Sequence, residues 1–247
     1  YQLHSETIIG LILNNEKIDI KKVKFNFCRI RFNGETPDKF PQNLEPIKEK
    51  YKLLCNTKSD INEHLPTLYK YATKCESIIE LGVRGVISSY AFVYGLLNNK
   101  KLKRKLLMND IKPCNINNLL KNTEGLNLNI KYQWGNDLEL NVDQNHDLTF
   151  IDTWHVYGQL KRELNKFSKV TNKYIIMHDT TVDGKFGETI RKKMNAYKQS
   201  IDTGIPVSEI KKGLIPAIEE FLELNKNWIM VEKFTNNNGL TILEKKK

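Results

Sequence analysis

From Cys75 onward, short apolar runs alternate with helix-length stretches, and nothing else in the chain constrains its fold as strongly. Residues 77–81, 106–110, 148–152 and 174–178 are apolar at their centres, and 127–134 alternates Leu128, Ile130, Tyr132 and Trp134 with polar residues. Between these runs, 88–98 and 157–170 read as helices; in the second, Leu160, Leu164 and Phe167 share one face. Apolar strands joined by helical crossovers predict a parallel sheet covered on both sides. The end of the chain breaks that rhythm. Residues 228–234 and 240–243 are strand-like and joined by Asn236-Asn237-Asn238-Gly239, a strong hairpin signal. The sheet must therefore finish with an antiparallel strand, which dinucleotide-binding Rossmann domains usually lack.

Ahead of this region the reading is thinner. Residues 1–45 hold two short strand-like runs, 7–13 and 23–32, then turns at Asn33-Gly34 and between Pro37 and Pro41. They are taken as an N-terminal extension of unclear role, with residues 46–247 as the main domain. Asp60 and Glu63 form a capping-box pattern before Leu65, Leu68 and Tyr71, which recur at helical spacing.

Composition removes several classes. With 40% hydrophobic residues and 9% aromatics in 247 residues, the chain can bury a core and is not intrinsically disordered. Its longest mostly apolar stretch, 86–97, is about half of what a membrane span needs. Cys28, Cys55, Cys75 and Cys114 form no Cys-x-x-Cys pair, which argues against a zinc ribbon or a disulfide scaffold and fits a reducing, cytoplasmic setting. The net charge of +10 comes almost wholly from Lys in a background of Asn and Ile, all residues with AT-rich codons. The clusters at 100–105 and 245–247 have no interleaved aromatics for stacking, so a nucleic-acid partner is disfavoured. The chain begins at Tyr1 rather than Met; a place in a longer protein stays open, as does a homo-oligomer.

In open α/β sheets, ligands sit at the carboxyl ends of the strands. Those ends carry Glu80-Leu81-Gly82, Asp110, Gly135-Asn136-Asp137, Asp152 with His155, and His178-Asp179. A single Asp there would read as a helix cap; an acid or His at five consecutive ends reads as a site. The loop Glu80-Leu81-Gly82-Val83-Arg84-Gly85 has no Gly-Lys-Ser/Thr ending for a triphosphate, and its G-x-x-G spacing is not a dinucleotide fingerprint. A glutamate at its entrance suits an ammonium group, and Asp110 suits ribose hydroxyls. An adenosine-containing ligand with a cationic amino-acid end satisfies both.

On these residues, with Phe150-Ile151-Asp152-Thr153-Trp154-His155, Ile175-Ile176-Met177-His178-Asp179-Thr180 and the terminal hairpin, the chain resembles class I S-adenosylmethionine-dependent methyltransferases over about 60–243. Within that class it looks most like the metal-dependent small-molecule O-methyltransferases, in particular the cephalosporin-hydroxylase-like and macrolide-sugar group. The resemblance implies a Rossmann-like seven-stranded sheet, mostly parallel with a C-terminal antiparallel hairpin and helices on both faces. It implies that Glu80, Gly82, Gly85 and Ser88 line the methionine and ribose end of the cofactor, that Asp110 holds the ribose, and that Asn136 and Asp137 approach the adenine. Asp152, His178 and Asp179 would ligate a divalent cation, Mg or Mn, and His155 with Asp152 would be catalytic, His155 as the base. The acceptor would be a small molecule, a sugar or sugar nucleotide, methylated on a hydroxyl. Val86 and Ile87 fall where many relatives have glycine, and His178 where they usually carry a carboxylate; magnesium prefers oxygen ligands.

Three other readings are weighed against this one. An RNA or DNA methyltransferase would use the Lys excess, but no aromatic Pro-Pro-Tyr/Phe clamp follows the fourth strand. A non-catalytic cofactor-binding module would not need His155. A hydrolase on the same scaffold would need a G-x-S-x-G elbow, and there is none. His64 could line the cofactor site, and Trp154 with Tyr157 could wall the acceptor pocket. His4 and His146 have no evident partner. Residues 181–213, with Gly184, Gly187, Gly204 and Pro206, form a long excursion of the kind that selects substrates.

Overall fold

The sheet grows outward from Ser77–Leu81 (β1), where Ile78 and Ile79 point to opposite faces and both are fully buried. The computed structural model describes residues 43–101 and 103–246. The expected strands at 7–13 and 23–32, the neighbouring turns, His4 and Cys28 lie outside the described residues. Gln42–Lys247 form one compact unit.

In order, the elements are α1 (Glu45–Asn56), α2 (Leu65–Ala72), β1, α3 (Ile87–Asn98), β2 (Lys105–Asp110), α4 (Asn117–Asn122), β3 (Asn129–Trp134), β4 (His146–Ile151), α5 (Tyr157–Phe167) and β5 (Thr171–His178). Three short helices follow, α6 (Gly187–Arg191), α7 (Ala196–Thr203) and α8 (Val207–Ile210), then α9 (Leu214–Leu224), β6 (Trp228–Phe234) and β7 (Leu240–Lys245). The described strands form one seven-stranded sheet ordered β3-β2-β1-β4-β5-β7-β6. The first five are parallel; β7 runs antiparallel to β5 and β6, as the Asn-Gly turn predicts.

Each strand's twofold alternation feeds two cores. Ile78, Met108, Phe150, Ile176 and Ile242 face α2 and α3, packing with Leu65, Leu68, Phe92 and Leu96. Ile79, Ile151, Ile175 and Leu243 face α5 and α9, against Leu160, Leu164, Phe167, Ile218 and Phe221. Full burial of each such side chain contributes about 1.5–3 kcal/mol. Helix α3 is buried nearly all round, which explains an apolar stretch that is nonetheless only 12 residues long. No described helix is long and apolar enough to cross a membrane. Cys55, Cys75 and Cys114 are unpaired.

The expected capping box is absent. Helix α2 starts at Leu65-Pro66 without a side-chain cap, because both candidate acids are engaged elsewhere. Asp60 accepts from Arg84 Nη2 at 2.5 Å, and Glu63 accepts from Asn236 Nδ2 at 2.5 Å. Proline in the first turn compensates, since it removes a donor that would be left unpaired there.

Candidate functional site

At the carboxyl end of β1 the chain turns sharply at Gly82, whose φ of +86° suits glycine. A Cβ there would lie 1.8 Å from the carbonyl oxygen of Asp152, so glycine also permits the loop after β1 to touch the end of β4. The rest of the loop is tied to β2. The Val83 and Arg84 amides donate to Asp110 Oδ2 at 2.9 and 2.8 Å, and Lys112 N donates to Oδ1 at 2.9 Å. Burial pushes the Asp110 carboxyl up, but these amides outweigh it and hold it below the ordinary value. Val86 takes φ of 60° at the entrance to α3, a left-handed conformation that β-branched residues avoid.

Glu80 lies beneath this loop and is fully buried, without lining the cavity. Its carboxyl accepts from Ser88 Oγ at 2.5 Å and Ser89 Oγ at 2.8 Å, and burial pushes its pKa up to about 8. Gly82, Gly85, Ser88, Asp110, Asn136 and Asp137 do line one cavity of about 1250 Å³. Asn136 caps the short turn 137–139 through its Oδ1, and Asp137 Oδ1 accepts from Gln159 Nε2 at 3.0 Å. The same Gln159 nitrogen reaches Glu163 Oε1 at 2.9 Å, where Thr153 Oγ1 also donates. Glu163 is buried on α5, and burial first, then Asp137, raises its pKa well above the carboxylate range. Gln159 and Glu163 were not singled out from sequence. The available signal was a carboxylate sharing the apolar stripe of Leu160, Leu164 and Phe167.

The other side of the cavity is built at the ends of β4 and β5. Asp152 Oδ1 is 3.1 Å from His155 Nε2 and 3.4 Å from His178 Nδ1. His155 Nδ1 is 2.9 Å from Asp179 Oδ2, 3.3 Å from Asp183 Oδ2 and 3.9 Å from Glu188 Oε2. Arg191 holds Asp183 through two 2.6 Å bonds. Burial alone would lower the pKa of His155, yet Asp152, Asp179 and Asp183 raise it well above the usual imidazole value. Burial likewise works against Asp152, and the two imidazoles overcome it, holding the carboxyl below its ordinary range. Asp183, Glu188 and Arg191 come from the excursion after β5, and spacing gave no reason to single them out.

Asp152, His155 and Asp179 each bring one donor atom within 4.8 Å of the others. His178 is 1% exposed, with Nε2 bonded to the Asn237 carbonyl at 3.2 Å. His178 Nδ1 and Asp179 Oδ1 are both buried without a hydrogen-bond partner. Unsatisfied donor atoms converging on carboxylates fit a cation.

The excursion is ordered as α6 to α8 and forms the cavity wall facing Trp154, with Arg191, Met194, Gln199, Asp202 and Ile205. The indole nitrogen of Trp154 is buried and unpartnered. Tyr157 does not line the cavity; its hydroxyl bonds Glu220 on α9. His64 is buried behind the site, bonded to the Asn236 carbonyl at 3.0 Å, and His146 lies at the opposite end of β4. Eight carboxylate and four Lys or Arg side chains line the cavity, so it is acidic although the chain is basic.

No protein-family model and no curated protein matches this chain. Solved structures do. The S-adenosylhomocysteine-bound methyltransferase PaMTH1 of Podospora anserina superposes with a TM-score of 0.52 at 14% identity, covering 89% of this chain and 99% of that one. The O-methyltransferase TomG of Streptomyces achromogenes, involved in tomaymycin synthesis and bound to S-adenosylmethionine, gives 0.52 at 11% identity, covering 82% and 90%. The cofactor-bound Rv0187 protein from MTB gives 0.51 at 11%, covering 82% and 91%. At these identities the likeness shows the fold, a Rossmann-like methyltransferase sheet with a terminal antiparallel hairpin.

Proposed function

We propose that this chain transfers a methyl group from S-adenosylmethionine to a hydroxyl of a small molecule, with a sugar or sugar nucleotide as the acceptor class. One observation carries the reading: the Gly82–Ser88 loop tied to Asp110 and the Asp152–His155–Asp179 cluster open into the same cavity. The solved neighbours bound to S-adenosylmethionine or S-adenosylhomocysteine share the fold, which supports the cofactor assignment. The acceptor wall, an aromatic Trp154 among Gln199, Asp202 and Asn238, suits a polyhydroxyl compound. Its acidic lining counts against a polyanionic nucleic acid.

Methyl transfer from a sulfonium is an in-line displacement, so the chain's task is to orient the hydroxyl and remove its proton. Asp110 binds the ribose through lone pairs that the loop amides leave free, and Asn136 and Asp137 face the adenine. His155 stands among these carboxylates, with Nε2 3.1 Å from Asp152 Oδ1 and Nδ1 2.9 Å from Asp179 Oδ2, and its neutral form accepts the proton of the acceptor hydroxyl. A divalent cation held by Asp152, His178 and Asp179 would lower the pKa of that hydroxyl and offset the carboxylate charge that otherwise keeps His155 protonated.

The test is calorimetric titration with S-adenosylhomocysteine, with and without a divalent cation. Micromolar binding is expected, weakened at least tenfold by Asp110→Ala; unchanged affinity in that variant removes the ribose assignment. Absence of binding under both conditions removes the cofactor reading, and a non-catalytic role takes its place. Given binding, transfer of a labelled methyl group to sugar nucleotides tests the acceptor class.

A further inference from the structure

The donor set at the end of β5 is not the all-oxygen cage that magnesium favours. The Asn237 carbonyl can only accept, so His178 Nε2 carries the hydrogen in their 3.2 Å contact. In the neutral ring that leaves Nδ1 as the bare nitrogen, and it points at two carboxylates. It lies 3.4 Å from Asp152 Oδ1 and 3.7 Å from Asp179 Oδ1, buried and without a hydrogen bond, while Asp179 Oδ1 is itself unpartnered. Donors about 2.1 Å from one shared ion and about 110° apart lie about 3.4 Å from each other. The ring is held in this pose from behind. Asn237 is anchored by Glu63 N at 3.0 Å and Ser59 O at 2.8 Å, and the His64 ring meets His178 edge-on at 5.7 Å. An imidazole whose far nitrogen donates to a backbone carbonyl is the arrangement in which histidine serves as a metal ligand.

We propose that Asp152 Oδ1, His178 Nδ1 and Asp179 Oδ1 form a binding site for a first-row transition ion of the manganese-to-zinc series, selective against magnesium. The proposal rests on the reading that these carboxylates hold a cation. It adds the class of ion that the His178 nitrogen selects: imidazole suits zinc, iron and nickel, whereas magnesium keeps to oxygen ligands. His155 Nδ1 is also buried without a hydrogen-bond partner and lies 2.9 Å from Asp179 Oδ2, so it is the competing nitrogen donor that the His155→Ala variant removes.

The experiment uses the chelator-stripped chain without cofactor and titrates Mn²⁺, Co²⁺, Zn²⁺ and Mg²⁺ separately, read by calorimetry and thermal shift. Co²⁺ and Zn²⁺ are expected to bind at least about tenfold more tightly than Mg²⁺, with Mn²⁺ in between. His178→Asp, which restores an oxygen donor, should narrow that ratio, and His178→Ala should abolish Co²⁺ binding. Should either variant fail to fold, pulsed electron paramagnetic resonance of the Mn²⁺ form reads ligation on the unmodified histidine. Nitrogen coupling is expected there, and it should persist in His155→Ala. Equal affinity for Mg²⁺ and Co²⁺, or no nitrogen coupling, overturns the inference while the cation reading stands. No response to any of the four ions overturns both, and S-adenosylhomocysteine binding then tests the rest of the proposed function separately.

Discussion

Glu80 shows how a residue can matter to a site without touching its ligand. Its carboxyl is sealed under the glycine loop and held by Ser88 and Ser89 hydroxyls, so ionising it in place is costly. Burial raises its pKa from the ordinary 4.5 to about 8, so the folded chain keeps a proton that the unfolded chain has already lost. Stability from this group is therefore full below about pH 4.5 and falls as pH rises toward 8, by on the order of 4–5 kcal/mol. Glu80→Gln offers one acceptor and one donor to the same two hydroxyls and has nothing to ionise. It should match the parent in thermal melts at pH 5 and exceed it by several degrees at pH 8; a constant difference across that range would show that Glu80 is not the titrating group. The residue type at this position was legible in sequence, and its burial was not, because ends of strands look alike whether they face a cavity or a helix. At His155, by contrast, the Asp152-x-x-His155 spacing pointed to one shared pocket, and the side chains do meet. His155→Ala should leave S-adenosylhomocysteine affinity within a few-fold and cut methyl transfer by roughly two to four decades. Undiminished turnover would remove it as the base.

At the scale of elements, every strand from β1 to β7 was anticipated within a few residues. The buried parallel strands announce themselves because they must be apolar on both faces, the edge strand β3 by its alternation, and the antiparallel β6 and β7 by the Asn-Gly turn between them. The excursion between β5 and β6 was anticipated only as a stretch of chain. Its helices α6 to α8 are too short for periodicity to register, and they are placed by close backbone approaches instead. Gly158 on α5 is one such place: a Cβ would meet Ile205 Cγ2 at 2.4 Å and Glu209 Cβ at 2.9 Å. Ile205 lines the cavity and belongs to the apolar cluster against which Trp154 packs, so Gly158 sets how closely that wall approaches Trp154. Gly158→Ala should cost about 1–3 kcal/mol through overpacking. Hydrogen exchange should quicken in residues 196–210 while β1, β4 and β5 stay protected, and methyl transfer should fall more than cofactor affinity. Exchange that quickens uniformly would mean that the excursion and the sheet open as one unit. The terminal hairpin carries a second role that its turn signal did not predict. Asn236 and Asn237 tie it to residues 59–64, and Asn238 O accepts from Thr181 and Val182, so the turn braces both flanks of the site.

Across the whole molecule, charge is distributed against its own average. The chain carries +10, yet the cavity collects carboxylates from β2, β4, β5 and the excursion, because those strand ends converge on one edge of a twisted sheet. Composition alone cannot show this, since it records the excess of lysine and not where the acids meet. The field inside the cavity favours a cationic sulfonium over a phosphate backbone, and it concentrates cost as well, because several carboxylates held close together repel one another. A ligand that binds only the folded chain must offset that cost, which makes thermal stability a direct measure of occupancy. At a hundredfold excess over its dissociation constant, such a ligand contributes about 2.7 kcal/mol. For a domain of this size that corresponds to about 5–10 °C in melting temperature. S-adenosylmethionine should produce a shift of this order, S-adenosylhomocysteine should do so at its own hundredfold excess, and adenosine alone should give less. Asp110→Ala should lose most of the shift at the same concentration, whereas His155→Ala should keep it. A shift retained in both variants would place the cofactor away from β2 and separate the acidic cavity from the methyl donor.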